Sequence, residues 1–187
     1  MASATVSDAD DDHCSIATPA TTGIDAGNDA TNMPKTPPET IYGSPNHFTI
    51  KPRSGATVLI RSCSSGELIT LNRGDVFLAP SDSPGCAEWI CTERDGKFGF
   101  QNRVSGSWLG NHDDDGNVKA RVFHFKGMEE FTIWNRNSGY VLKSRVWRLW
   151  NARDHPIGVV RKDNMDKLVL DGESAPDPET WEFLEVA

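Results

Sequence analysis

Three stretches of the chain can be laid over one another at nearly constant spacing, and no other feature limits the fold as much. Val58-Leu-Ile-Arg-Ser62, Phe98-Gly-Phe-Gln-Asn102 and Tyr140-Val-Leu-Lys-Ser144 each read apolar, any, apolar, polar, small polar. Their starts lie 40 and 42 residues apart. Ten residues after each start stands a large apolar residue, Leu68, Trp108 or Trp150, and ten further on Leu78, Val118 or Val160. Each unit closes on an aromatic strand with a glutamate just before it: Glu88-Trp89-Ile90, Glu130-Phe131-Thr132 and Glu179-Thr180-Trp181.

Each copy holds four short apolar runs separated by turn residues, so three copies predict twelve strands and no helix. One copy alone would leave its apolar face in water, so the three must close together. The arrangement that satisfies this symmetry is a β-trefoil, a six-stranded barrel capped by three hairpins. Alternation predicts that Val58 and Ile60, Phe98 and Phe100, and Tyr140 and Leu142 point inward. Trp108, aligned with Leu68 and Trp150, is expected in the core. Asp95-Gly96, Asp115-Gly116-Asn117 and Ser138-Gly139 supply the positive φ that tight hairpins need. The third unit is longer than its sisters, and residues 162–179, with Pro176 and Pro178, are read as its insertion. The Phe48-Thr49-Ile50 run fits none of the twelve strands.

The domain is expected over residues 46–187, with repeats at about 46–94, 95–136 and 137–187. Residues 1–45 differ in composition: rich in Ala, Thr, Ser, Asp and Pro, they hold one aromatic, Tyr42. Such a stretch cannot bury enough apolar surface to offset the entropy of ordering, and it is read as a disordered acidic tail. It carries seven acids against Lys35, which leaves only −2 of the net −8 for the rest of the chain. The overall pI near 5.1 therefore says little about the folded surface.

With the repeats aligned, the second unit resembles those of fascin-like β-trefoils. Ser107-Trp-Leu-Gly110, Gly116-Asn-Val-Lys-Ala120 and Glu130-Phe-Thr-Ile133 match the outline aromatic-Leu-Gly, Gly-x-Val-x-Ala, Glu-x-aromatic-x-Ile, and Asp95-Gly-Lys-Phe-Gly-Phe-Gln-Asn102 matches the strand that opens such units. The resemblance covers about residues 47–187 and implies a β-trefoil that binds a protein partner such as filamentous actin. One departure matters: fascins carry several trefoils in tandem, whereas this chain has one. The matched residues determine the fold, and none is carried over as a filament contact.

No catalytic constellation is visible: no Gly-rich phosphate loop, no Gly-x-Ser-x-Gly, no paired-carboxylate motif. A non-catalytic binding module is expected, monomeric, without cofactor or metal. His112-Asp-Asp-Asp115 reads as a solvated turn, and no two of the five histidines stand at metal-ligand spacing. Cys63, Cys86 and Cys91 are read as free thiols. The first residues lack a basic and apolar leader, so a cytoplasmic location is expected.

For binding, the third unit stands out. Arg145-Val-Trp-Arg-Leu-Trp-Asn-Ala-Arg153 interleaves basic and aromatic residues, and residues 119–167 hold eleven Lys and Arg against five Asp and Glu. A basic flank of this kind suits an acidic partner: an actin filament, a lipid headgroup or RNA, with a protein partner first and nucleic acid not expected. Trp147 aligns with Ser65 and Ser105, both at hairpin tips, so it is the candidate anchor, with Arg145, Arg148 and Arg153 as electrostatic partners. The rival reading is a carbohydrate-binding trefoil, since trefoil lectins use exposed aromatics on the barrel side. The Gln-x-Trp of ricin-type lectins is missing from the closing strands. A third reading is an inhibitor presenting the 162–179 loop.

Overall fold

The computed structural model describes residues 50–111, 116–148, 151–170 and 178–186 of the unit Thr49–Ala187; the side chains at 111, 147, 148, 151 and 152 are outside that description, as is the expected tail. The described residues contain twelve strands and no helix. The first unit supplies β1 (Thr57–Ser62), β2 (Leu68–Asn72), β3 (Asp75–Ala79) and β4 (Glu88–Arg94). The second supplies β5 (Lys97–Asn102), β6 (Trp108–Asn111), β7 (Val118–Val122) and β8 (Phe131–Arg136). The third supplies β9 (Gly139–Arg148), β10 (Asn151–Lys162), β11 (Met165–Leu170) and β12 (Trp181–Glu185).

Strand pairing builds the expected β-trefoil. The first and fourth strands of each unit form one antiparallel ring, β1–β4–β5–β8–β9–β12, which closes through β12 onto β1. The remaining hairpins β2–β3, β6–β7 and β10–β11 cover one end. They are joined by β3–β7, β3–β11 and a bridge between Asn117 and Val169. Closure leaves the ring no free edge to pair with another chain.

The repeated residues fill the barrel. Val58, Ile60, Phe98, Phe100, Tyr140 and Leu142 are all buried, as alternation predicts. The closing aromatics Trp89, Phe131 and Trp181 are fully buried. Phe100 stacks on Phe183 with ring centroids 5.6 Å apart and meets Phe131 at 5.9 Å, so aromatic contacts join the second and third units.

The small polar residue that ends each opening motif has a structural reason. Ser62, Asn102 and Ser144 are buried, and each ties its strand to the segment that leads into the preceding unit's closing strand. Ser62 Oγ donates to Glu179 Oε1 at 2.9 Å, Asn102 Nδ2 to the Cys86 carbonyl at 3.2 Å, and Ser144 Oγ to the Met128 carbonyl at 3.3 Å. A buried polar group is tolerated because it is partnered, and here each has at least one partner in the neighbouring repeat. At the "any" position of the second unit stands Gly99. A Cβ there would lie 2.4 Å from the Phe125 ring, so glycine is what lets Phe125 cover the strand. The β4–β5 hairpin turns through Asp95 and Gly96, both at positive φ, 52° and 74°.

The third unit departs from the sequence-based register. Val160 is 49% exposed; the buried residues are Ile157 on β10 and Leu168 on β11. The offset fails because β9 and β10 run for 10 and 12 residues, against 6 and 5 for β1 and β2. The extra length therefore enters mainly at the β9–β10 hairpin rather than over 162–179, of which β11 and the turn before it are regular. Trp150 lies outside the described residues, while Trp108 is buried as expected, with Phe125 stacked on it at 4.9 Å. Ile50 is exposed and belongs to no strand; Phe48 and Thr49 lie outside the described residues.

Candidate functional site

The expected binding hairpin is strand rather than loop. Register pairs Arg145 with Asp154, Val146 with Arg153, Trp147 with Ala152 and Arg148 with Asn151. Directly paired residues share a face and neighbours alternate, so Arg145 and Arg153 lie on opposite faces of the ribbon. Both are exposed. The side chains of Trp147 and Arg148 are outside the described residues, so the four do not assemble into one described surface. Trp147 also does not sit at the tip: the strand continues through Arg148.

The expected basic flank is broken up by pairing. Arg121 meets Asp75 at 3.0 Å, Arg145 meets Asp154 at 3.7 Å, Arg161 meets Asp166 at 3.4 Å and Lys167 meets Asp163 at 3.1 Å. The counted excess of charge is real, but acids from facing strands are interleaved with it.

One outer wall of the barrel carries a different arrangement. Strands β8, β9 and β10 form a continuous antiparallel ladder. Phe131 on β8 and Tyr140, Leu142 and Ser144 on β9 are buried, so Thr132, Trp134, Val141, Lys143 and Arg145 occupy the outward positions. Trp134 is 59% exposed there, with the Lys143 ammonium 4.3 Å from its ring centroid. Thr132 pairs directly with Lys143, and Pro156 flanks Lys143 from β10. One step along, the Arg145–Asp154 pair brings a guanidinium and a carboxylate to the same face. The wall thus offers an apolar ring, a hydroxyl, two cationic donors and an acidic acceptor in one strip.

The sequence reading missed Trp134, Lys143 and Asp154. The signal was present: stepping by two from the buried Phe131 puts Ile133 inward and Trp134 outward. In the sister units the position three after the closing aromatic is Thr92 or Leu184. Trp134 is therefore not required by the barrel.

Other chemistry is sparse among the described residues. They hold no group of His, Cys, Asp and Glu able to bind a metal; His112-Asp-Asp-Asp115 lies outside them. Cys63, Cys86 and Cys91 are free thiols. Burial pushes the Cys91 thiol up to about 12, and burial also raises that of Cys63, so neither is an activated nucleophile. No described helix is long and apolar enough to cross a membrane.

No family model matches the chain, and no curated protein matches its sequence. Solved structures do. A GlcNAcα1-4Gal releasing endo-β-galactosidase from Clostridium perfringens matches 71% of this chain at 14% identity and a TM-score of 0.56; the match spans 33% of that enzyme. A ricin B-like lectin from Macrolepiota procera, solved with lactose, matches 71% of this chain and 99% of its own at 18% identity and a TM-score of 0.50. SeviL, solved with the asialo-GM1 saccharide, matches 71% and 98% at 12% identity and a TM-score of 0.53. These likenesses establish the trefoil fold. None of the three is described as fascin-like or as binding actin.

Proposed function

We propose that the chain is a non-catalytic carbohydrate-binding β-trefoil, with the outer wall of β8–β10 as its sugar site. The observation that carries this reading is Trp134, largely exposed on the barrel side beside Lys143 and the Arg145–Asp154 pair. A pyranose has an apolar C–H face and a rim of hydroxyls. An exposed indole accepts the first, and fixed charged donors and acceptors orient the second. Val141, buried next to Trp134, keeps the platform stiff. Two of the structural neighbours support the same ligand class, since one was solved with lactose and the other with the asialo-GM1 saccharide. The actin reading implied by the fascin-like resemblance draws no such support.

Trp134 is the only largely exposed ring named on this wall, so one sugar unit would make few apolar contacts, and weak binding reinforced by multivalent display is expected. The test is a glycan array probed with the full chain, in parallel with co-sedimentation on filamentous actin. Retention on a defined set of glycans with no pelleting is the expected result. Pelleting with actin and no glycan retention would overturn it.

A further inference from the structure

The capped end of the barrel holds a second concavity, which shares strand β10 with the wall but none of the wall's named residues. A pocket of about 300 Å3 opens where the β2–β3 turn, the start of β7 and the β10–β11 hairpin meet. Its floor includes Val76, Val118 and Leu168, one buried residue from each hairpin. Its rim carries Arg73, Lys119, Lys162 and Lys167 against a single acid, Asp75. That acid is held by Arg121 at 3.0 Å, and Lys167 is held by Asp163 at 3.1 Å. Neither Arg73 nor Lys162 forms an ion pair among the described residues.

The backbone adds a second observation. Arg73 adopts a left-handed φ of 52° ahead of Gly74, a turn position that Asn or Gly fills with less strain. The turn gains nothing from arginine there. What arginine supplies is a forked cation at the mouth of a pocket whose other corners are lysines.

We propose that this pocket binds a tetrahedral oxyanion, a sulfate or phosphate group, carried by a small ligand whose apolar part rests on the Val76–Val118–Leu168 floor. The rim's cations come from all three capping hairpins, and its one carboxylate is already neutralised by Arg121. The volume sits at the lower bound of about 300 Å3 for small-molecule pockets, which fits a single substituted ring rather than a polymer. The inference goes beyond the carbohydrate reading and does not rest on it, because no wall residue lines the pocket.

Calorimetric titration of the full chain at fixed ionic strength tests this, with sodium sulfate, sodium phosphate, galactose 6-sulfate and galactose as probes. At least one oxyanion is expected to bind, and galactose is expected to bind this pocket no better than buffer. The variant Arg73→Asn/Lys162→Gln should weaken oxyanion binding about tenfold or more. Asn tolerates the left-handed turn, and Lys162→Gln alone reads the same loss if the double variant melts early. Binding of inorganic anions as tight as that of galactose 6-sulfate identifies charge as the recognised feature. Binding of galactose 6-sulfate alone identifies an acidic saccharide as the source. Trp134→Ala should leave the binding of sulfate and phosphate unchanged. The proposal is overturned if no oxyanion binds, if the folded charge variant binds oxyanions as before, or if every oxyanion that binds depends on Trp134 and not on Arg73 and Lys162.

Discussion

The inner and outer faces of the β8–β9 pair are built from adjacent residues and obey different rules. Inward, Phe131 has counterparts in Trp89 and Trp181, and Leu142 has counterparts in Ile60 and Phe100; all six are buried. Outward, Trp134 corresponds to Thr92 and Leu184, and Lys143 to Arg61 and Gln101. Threefold repetition is what a closed barrel requires, because each unit must fill its share of one core. A large exposed residue that appears in one unit only is not explained by closure. The difference separates what holds this molecule together from what it presents to a ligand.

The sharpest way to break that separation is at the closing aromatics. Trp89→Ala should cost about 3–5 kcal/mol, the range for large aromatic truncation in a core. Trp108→Ala should fall at the lower end of that range, about 3 kcal/mol, because Trp108 lies in a capping hairpin and is less completely buried than Trp89. Urea unfolding of both variants checks the order; a larger loss at Trp108 would mean that the cap, not the barrel, dominates stability.

A smaller effect distinguishes two residues that the repeat makes equivalent. Trp89 Nε1 donates to the Ile69 carbonyl at 2.9 Å, whereas Trp181 Nε1 is buried with no partner among the described residues. Trp89→Phe leaves a buried carbonyl without that donor, while Trp181→Phe removes an unsatisfied group. The first should be the more destabilising by about 1–2 kcal/mol, read from the same unfolding curves. Equal losses would show that Trp181 has a partner after all.

Smaller again is the alkaline response of the interior. Burial, reinforced by Glu93, raises the Cys91 thiol from 9.0 to about 12. Folding therefore favours the protonated thiol. Its contribution to stability is complete below about pH 9 and is lost as pH rises towards about 12, where the folded form also ionises. Cys91→Ala should flatten that part of the stability profile, and iodoacetamide should label Cys91 only as the chain unfolds. Rapid labelling in the native state would contradict the burial.

The repeat made the fold legible, since apolar positions at equal offsets are a direct record of a shared core. It failed at Val160 for a definable reason. The first hairpin of the third unit lengthens by whole strand residues, which moves every later offset while leaving the strand pattern intact. The wall was harder to read. Arg145 and Arg153 stood out by residue type, yet pairing with Asp154 and alternation across the ribbon are properties of register, which residue type does not reveal. Trp134 was hidden by its proximity to Phe131: two aromatics three apart in a strand lie on opposite faces, and the repeat drew attention only to the inward one. The cap pocket was invisible, because Arg73, Lys119 and Lys162 come together only when the three hairpins close.

The central claim is that the unrepeated aromatic on the outer wall binds sugar without supporting the fold. It is tested most directly by Trp134→Ala, measured twice: by thermal melt, and by titration with the glycan that the intact chain retains most strongly. The account predicts a melting temperature close to that of the intact chain and affinity weakened by about 2 kcal/mol or more, the cost of losing a hot-spot aromatic. A folded variant that binds the glycan as tightly as the intact chain would contradict it.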